Sequence, residues 1–161
     1  MNRKALVFLT TVLVIVLSAC GANGKEQKEA LKNNPQDFIE LTEVYFEKQQ
    51  ALMMKQAEGQ SGEFAELNQH AQDVIESDEY KEWEKEVKKV ESFNFEKKSS
   101  SVEFIELQTA LNDYGKVQIE YFQELAKAED VDVYNEVNAD FAEQLEETQD
   151  KFILIMETIE Y

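Results

Sequence analysis

Apolar residues follow two regimes along this chain. From residue 5 to residue 19 they form a nearly unbroken run, interrupted only by Thr10, Thr11 and Ser18. From Phe38 onward they recur every three or four residues among charged and amide side chains, the period of one face of an α-helix. Residues 21–34 separate the two regimes, being polar and aperiodic. Asn34, Pro35 and Asp37 then predict a helix start: an N-capping side chain, proline at the first helical position and a negative charge in the first turn. The helix predicted from there to about Ala57 places Phe38, Leu41, Tyr45 and Leu52 on one stripe, widened by Val44 and Met53.

Two glycines and a serine within residues 58–62 predict a turn, after which the stripe resumes as Phe64, Leu67, Ala71 and Val74. It reappears as Tyr80, Trp83, Val87 and Val90, about two residues out of phase. Two residues are roughly 200° of helix rotation, so one straight helix cannot hold both sets against one core. The pattern predicts a break near Ser77 and Asp78, with Ser77 capping the second piece. Residues 94–101 read as a mostly polar connection. Ser100 and Glu103 have capping-box spacing, and Phe104, Leu107, Leu111, Tyr114, Tyr121 and Leu125 follow on a helix interrupted by Gly115. After an acidic connection over 128–131, Asp132 is the expected cap of a last helix carrying Tyr134, Val137, Phe141, Leu145, Phe152, Ile155 and Ile159 to the chain end.

The expected fold is all-α: an antiparallel up-and-down bundle of about four long helices, the second broken near Ser77. Coiled-coil dimerisation is the alternative, since several stripes are nearly heptad. Aromatic residues at so many stripe positions suit a globular bundle better than a narrow two-stranded seam.

The apolar run has its own meaning. Arg3 and Lys4 lead into it, small residues close it, and Cys20, the sole cysteine, follows in Leu17-Ser18-Ala19-Cys20-Gly21. At 15 residues the run is short for a bilayer, which needs roughly 20, and suits the core of a secretory signal peptide. Leu17, Ser18, Ala19 and Cys20 resemble the lipobox of bacterial lipoproteins. The resemblance implies cleavage by signal peptidase II before Cys20 and a diacylglycerol on its thiol, with or without a further N-acyl chain. Each buried acyl methylene contributes about 0.8 kcal/mol, so two or three chains would hold the protein almost permanently. The expected organisation is a signal peptide over 1–19, a lipidated cysteine and tether over 20–34, and a helical domain over 35–161. As a flexible coil the tether spans about 20 Å.

Loss of Arg3 and Lys4 with the signal would take the net charge from −18 to −20. Such a field repels phosphates and disfavours nucleic acid as a partner. Every remaining cation is lysine, so no guanidinium fork is present to grip a carboxylate or phosphate. With Cys20 acylated, no thiol remains for a disulfide, a zinc site or a nucleophile, and the fold must rest on packing.

Glu63, Glu66, His70 and Asp73 lie three, four and three residues apart and would align four donors on one helical ridge. They are weak metal candidates. The di-iron bundle pattern wants Glu and His three apart on each of two helices, whereas Glu66 and His70 are four apart and no second histidine exists. Read as a solvated ridge, His70 should tolerate alanine within about 0.5 kcal/mol. Glu129, Asp130 and Asp132 invite a calcium reading, yet an EF-hand loop opening at Asp130 needs glycine and glutamate where Asn135 and Phe141 stand. Adjacent helical residues point about 100° apart, so Met53 and Met54 are expected as core fillers rather than a copper pair. No nucleophile elbow or glycine-rich phosphate loop is present, so no enzyme and no cofactor are expected.

The leading expectation is a lipid-anchored, non-enzymatic interaction module on the extracytoplasmic face of the cell membrane, held by the bilayer and binding an envelope or surface protein. Low glycine, lysine-only cations and a signal followed by a short tether resemble small lipoproteins of low-GC Gram-positive bacteria. In a Gram-negative host, Gly21 lacks the aspartate that resembles an inner-membrane retention signal, and the outer membrane would be expected. Two alternatives are a small-ligand or metal binder using the bundle interior, and a precursor of a peptide pheromone, since residues 11–19 resemble the short apolar peptides clipped from lipoprotein signals. The binder predicts a polar cluster inside the core, for which the sequence offers no clear set. The interaction module predicts an exposed apolar or aromatic patch.

Overall fold

Asn34 turns the chain into its first helix as its neighbours require. Its side-chain oxygen accepts from the backbone N–H groups of Gln36 at 2.8 Å and Asp37 at 3.1 Å, and the Asp37 carboxylate accepts from the Asn34 N–H at 3.0 Å. This reciprocal box satisfies three donors that the first turn would leave unpaired. The computed structural model describes residues 34–59, 62–96 and 102–159, and all regular structure among them is α-helical. The helices are α1 (Pro35–Ala57), α2 (Phe64–Glu76), α3 (Asp78–Ser92), α4 (Val102–Lys127) and α5 (Val131–Thr158). None is long and apolar enough to cross a membrane.

The expected break falls where the phase argument requires it. Ser77 adopts φ −67° and ψ 160°, an extended conformation that ends α2, and its hydroxyl oxygen accepts from the Tyr80 N–H at 3.1 Å to cap α3. Its own hydroxyl donates to the Val74 carbonyl at 2.6 Å. Ala71 and Val74 on one side of the break and Tyr80, Trp83, Val87 and Val90 on the other are thereby all buried.

The main core joins all of these except Ala71 to Phe38, Tyr45 and Leu52 of α1, Leu107, Ala110, Leu111, Tyr114 and Phe122 of α4, and Phe152 of α5. Aromatic rings meet across it at edge or tilted angles: Trp83 lies 4.2 Å from Tyr45, and Phe152 lies 5.1 Å from Tyr114 and 5.6 Å from Phe46. A smaller cluster of Ala71, Leu125 and Ala126 secures α2 against α4.

Three local expectations need correction. Asp130, not Asp132, caps α5, its carboxylate accepting from the Val133 N–H at 2.9 Å. Asp132 instead lies in the first turn, where its charge complements the helix dipole. The segment after α3 is not simply a polar connection, because Phe93 and Phe95 stack on Phe38 at 5.1 and 5.0 Å and close that end of the core. Met54 is 65 % exposed while Met53 packs against the core, the 100° between neighbours having carried one of them out to solvent. Ser100 of the expected capping box lies outside the described residues.

Candidate functional site

Leu17, Ser18, Ala19 and Cys20 lie outside the described residues, so the site geometry concerns the helical domain alone. The ridge of Glu63, Glu66, His70 and Asp73 sits on and just before α2, where each donor serves a different contact. The Glu66 carboxylate accepts from the Glu63 N–H at 3.3 Å, and Asp73 accepts from the Gln69 amide at 2.9 Å. His70 is half-buried and does not lie on a solvated face. Its Nε2 stands 3.0 Å from the Gln56 carbonyl oxygen in the last turn of α1, and since a carbonyl only accepts, Nε2 carries the proton. Its ring also lies against Gly59, where a Cβ would run into it. Among the described residues no three His, Cys, Asp or Glu side chains gather so as to hold a metal ion.

His70 is therefore a fastening between α2 and the end of α1, and the small effect expected of a surface residue is revised. His70→Ala should cost about 1–2 kcal/mol, through the lost hydrogen bond to the Gln56 carbonyl, which then keeps only the 3.4 Å bond from the Gly59 N–H, and through the lost ring contact. Thermal denaturation of the variant checks this; a change within about 0.5 kcal/mol would return His70 to the surface class.

The structure also contains a file of polar side chains between α1 and α4 that the periodic reading passed over, buried at Tyr45, Tyr114 and Gln118 and partly exposed at Gln49, Met53, Gln56 and Tyr121. Tyr45 donates from its hydroxyl to the Leu111 carbonyl at 2.9 Å. One turn along, the Gln49 amide donates to the Tyr114 hydroxyl at 2.6 Å and to the Gln118 carbonyl oxygen at 3.3 Å. Gln118, only 2 % exposed, donates in turn to the Met53 sulfur at 3.2 Å. Further on, Gln56 donates to the Tyr121 hydroxyl at 3.3 Å, and Tyr121 donates to Asn138 of α5 at 2.9 Å. Burial pushes the Tyr114 and Tyr121 hydroxyls up to about 12 and Tyr45 well above its ordinary value, so all three remain protonated donors at neutral pH.

The members of this file satisfy one another, as a buried polar network must if it is not to destabilise the fold. Its chemistry is that of hydrogen-bonded packing: no member is a poised base or nucleophile. A signal was present in the sequence, since Gln49 and Gln56 share the α1 stripe with Tyr45 and Leu52, and Gln118 lies between Tyr114 and Tyr121. Glu86 is the other polar residue in the interior, 4 % exposed, with one carboxylate oxygen 2.7 Å from Lys89 Nζ.

The outer surface is dominated by charge. No aromatic among the described residues is exposed, and the exposed large apolar side chains are Val44, Met54, Val102, Ile105, Val131, Val133 and Leu154, distributed over three helices. On α5, Asp132, Glu136, Asp140, Glu143, Glu147 and Asp150 recur at helical spacing and are all exposed. They form a line of carboxylates about 27 Å long. The only lysine of α5, Lys151, is engaged by Asp113 of α4 at 3.3 Å. Glu129 and Asp130 of the acidic connection are exposed as well, with Asp130 committed to its cap.

Comparison with protein-family profiles, with curated proteins and with solved structures returned no match.

Proposed function

We propose that this protein is a bacterial lipoprotein, held through Cys20 on the extracytoplasmic face of the cell membrane, whose helical domain is a non-enzymatic interaction module for an envelope or surface protein. The observation that carries the reading is Cys20 in Leu17-Ser18-Ala19-Cys20-Gly21 behind a basic lead and a 15-residue apolar run. The start of the folded part is compatible with it: α1 begins at Pro35, capped by Asn34, 15 residues after Cys20. We further propose that the helices form an up-and-down bundle of four rods, with α2 and α3 together making the second. The order of contacts supports this. Residue numbers rise together from Tyr45–Leu111 to Gln56–Tyr121 between α1 and α4. They run oppositely between α1 and α3, from Phe38–Phe93 to Tyr45–Trp83, and between α4 and α5, from Tyr114–Phe152 to Tyr121–Phe141.

The surface favours a particular sign of partner. A domain with a net charge near −20 attracts cationic surfaces over a Debye length and repels anionic ones, so the partner should present a basic face. Cys20→Ser tests the anchoring. Labelling with a fatty-acid analogue should disappear, and the chain should accumulate as a precursor that keeps its signal. Incorporation at the wild-type level would sink the lipoprotein reading.

A further inference from the structure

We propose that Met53 is a redox-sensitive latch of the α1–α4 interface, oxidised to the sulfoxide by peroxide and loosening the domain when it is. Met53 is a partly exposed end of the polar file, whereas Gln118, which donates to its sulfur at 3.2 Å, is 2 % exposed. The same Gln118 accepts from Gln49, which donates to Tyr114. The partly exposed Met53 thus terminates a chain that runs through the buried Gln118, the partly exposed Gln49 and the buried Tyr114.

In the reaction a thioether lone pair attacks one oxygen of hydrogen peroxide, the O–O bond breaks and an S–O bond forms. Sulfur is oxidised by two electrons, and the peroxide is reduced to water. The new oxygen is a strong acceptor attached to an atom already in hydrogen-bond contact with the Gln118 amide. It cannot enter that 3.2 Å gap without displacing Gln118 or expelling Met53 from the core cluster it packs against. Either movement breaks the file. A sulfoxide is also polar where the thioether was apolar, which weakens the packing of α1 directly.

The neighbouring methionine supplies an internal contrast. Met54 is 65 % exposed and will oxidise readily, but no core contact depends on it. Met156 of α5 is the third methionine beyond the apolar run, partly buried against the core, and it isolates the role of the Gln118 contact from that of general burial.

The test uses the full-length protein in detergent, titrated with hydrogen peroxide. Peptide mapping gives the fraction of each methionine oxidised, and circular dichroism gives the melting temperature at each dose. Wild type and Met54→Leu should lose at least about 5 °C, in proportion to Met53 sulfoxide. Met53→Leu, a nearly volume-conserving change, should shift by no more than about 1 °C under the same treatment, and Met156→Leu should behave as wild type. Methionine sulfoxide reductase should restore the wild-type melting temperature. The proposal is overturned if Met53→Leu loses as much as wild type, if fully oxidised Met53 leaves the melting temperature unchanged, or if Met53 stays reduced while Met54 is fully converted.

Discussion

Trp83→Ala is expected to destabilise the domain by about 3–5 kcal/mol, the range for removing a large aromatic from a close-packed core. Trp83 is fully buried on α3 and meets Tyr45 edge-on at 4.2 Å, so its removal opens a void where α1 and α3 meet. No described residue accepts a hydrogen bond from its indole N–H, so the loss is one of contact area and ring geometry. Trp83→Phe should recover a large part of it. In urea the midpoint should fall steeply with little change in slope, since the surface exposed on unfolding is hardly altered. A loss below about 1 kcal/mol for the alanine variant would mean that Trp83 is not at the centre of the fold.

Gly115 gives the second large effect, and its sign runs against helix propensity. In an open helix interior, Gly→Ala stabilises by about 0.5–1 kcal/mol. A Cβ at Gly115, however, would lie 2.8 and 2.9 Å from the two methyl carbons of Val87 and 3.1 Å from the Tyr45 hydroxyl. The missing side chain is what lets α4 approach α3 this closely. Gly115→Ala should therefore cost about 1–2 kcal/mol net of propensity, and Gly115→Val about 3 kcal/mol or more. Pairing Gly115→Ala with Val87→Ala should be less harmful than the sum of the two changes, because the new methyl fills space that Val87 vacates. Stabilisation by Gly115→Ala alone would refute the close approach.

Much of the architecture was legible because its determinants are local. Asn34 with Asp37 announces α1 within four residues, and the phase slip between Val74 and Tyr80 leaves Ser77 as the place to change direction. The stripe positions of Gln49, Gln56 and Gln118 were legible but their partners were not, for the opposite reason. Glutamine is an ordinary helix-surface residue, and only partners about 65 residues away hold Gln118 in the interior and Gln49 and Gln56 at its edge. The same holds for His70, whose partner carbonyl belongs to another helix, 14 residues earlier. Asp130 and Asp132 offered the same capping chemistry two residues apart, and the first suffices because α5 begins at Val131. Phe93 and Phe95 escaped the periodic reading because they lie beyond the helix that gives periodicity its meaning. At the candidate site the asymmetry is sharper. The proposed lipid attachment would be directed by a few contiguous residues and is therefore readable in the sequence, whereas a surface feature such as the carboxylate line on α5 exists only once the helix is assembled.

The extended residue at Ser77 also divides the molecule in time. The ladder of backbone hydrogen bonds that would make one rod open as a unit stops there, and the two pieces differ in what holds them. Within α3, Tyr80, Trp83, Val87 and Val90 are buried in the main core, whereas α2 buries two residues, Val74 in that core and Ala71 in the small cluster with Leu125 and Ala126. Amide protons of α2 can thus exchange through local opening events that leave α3 folded.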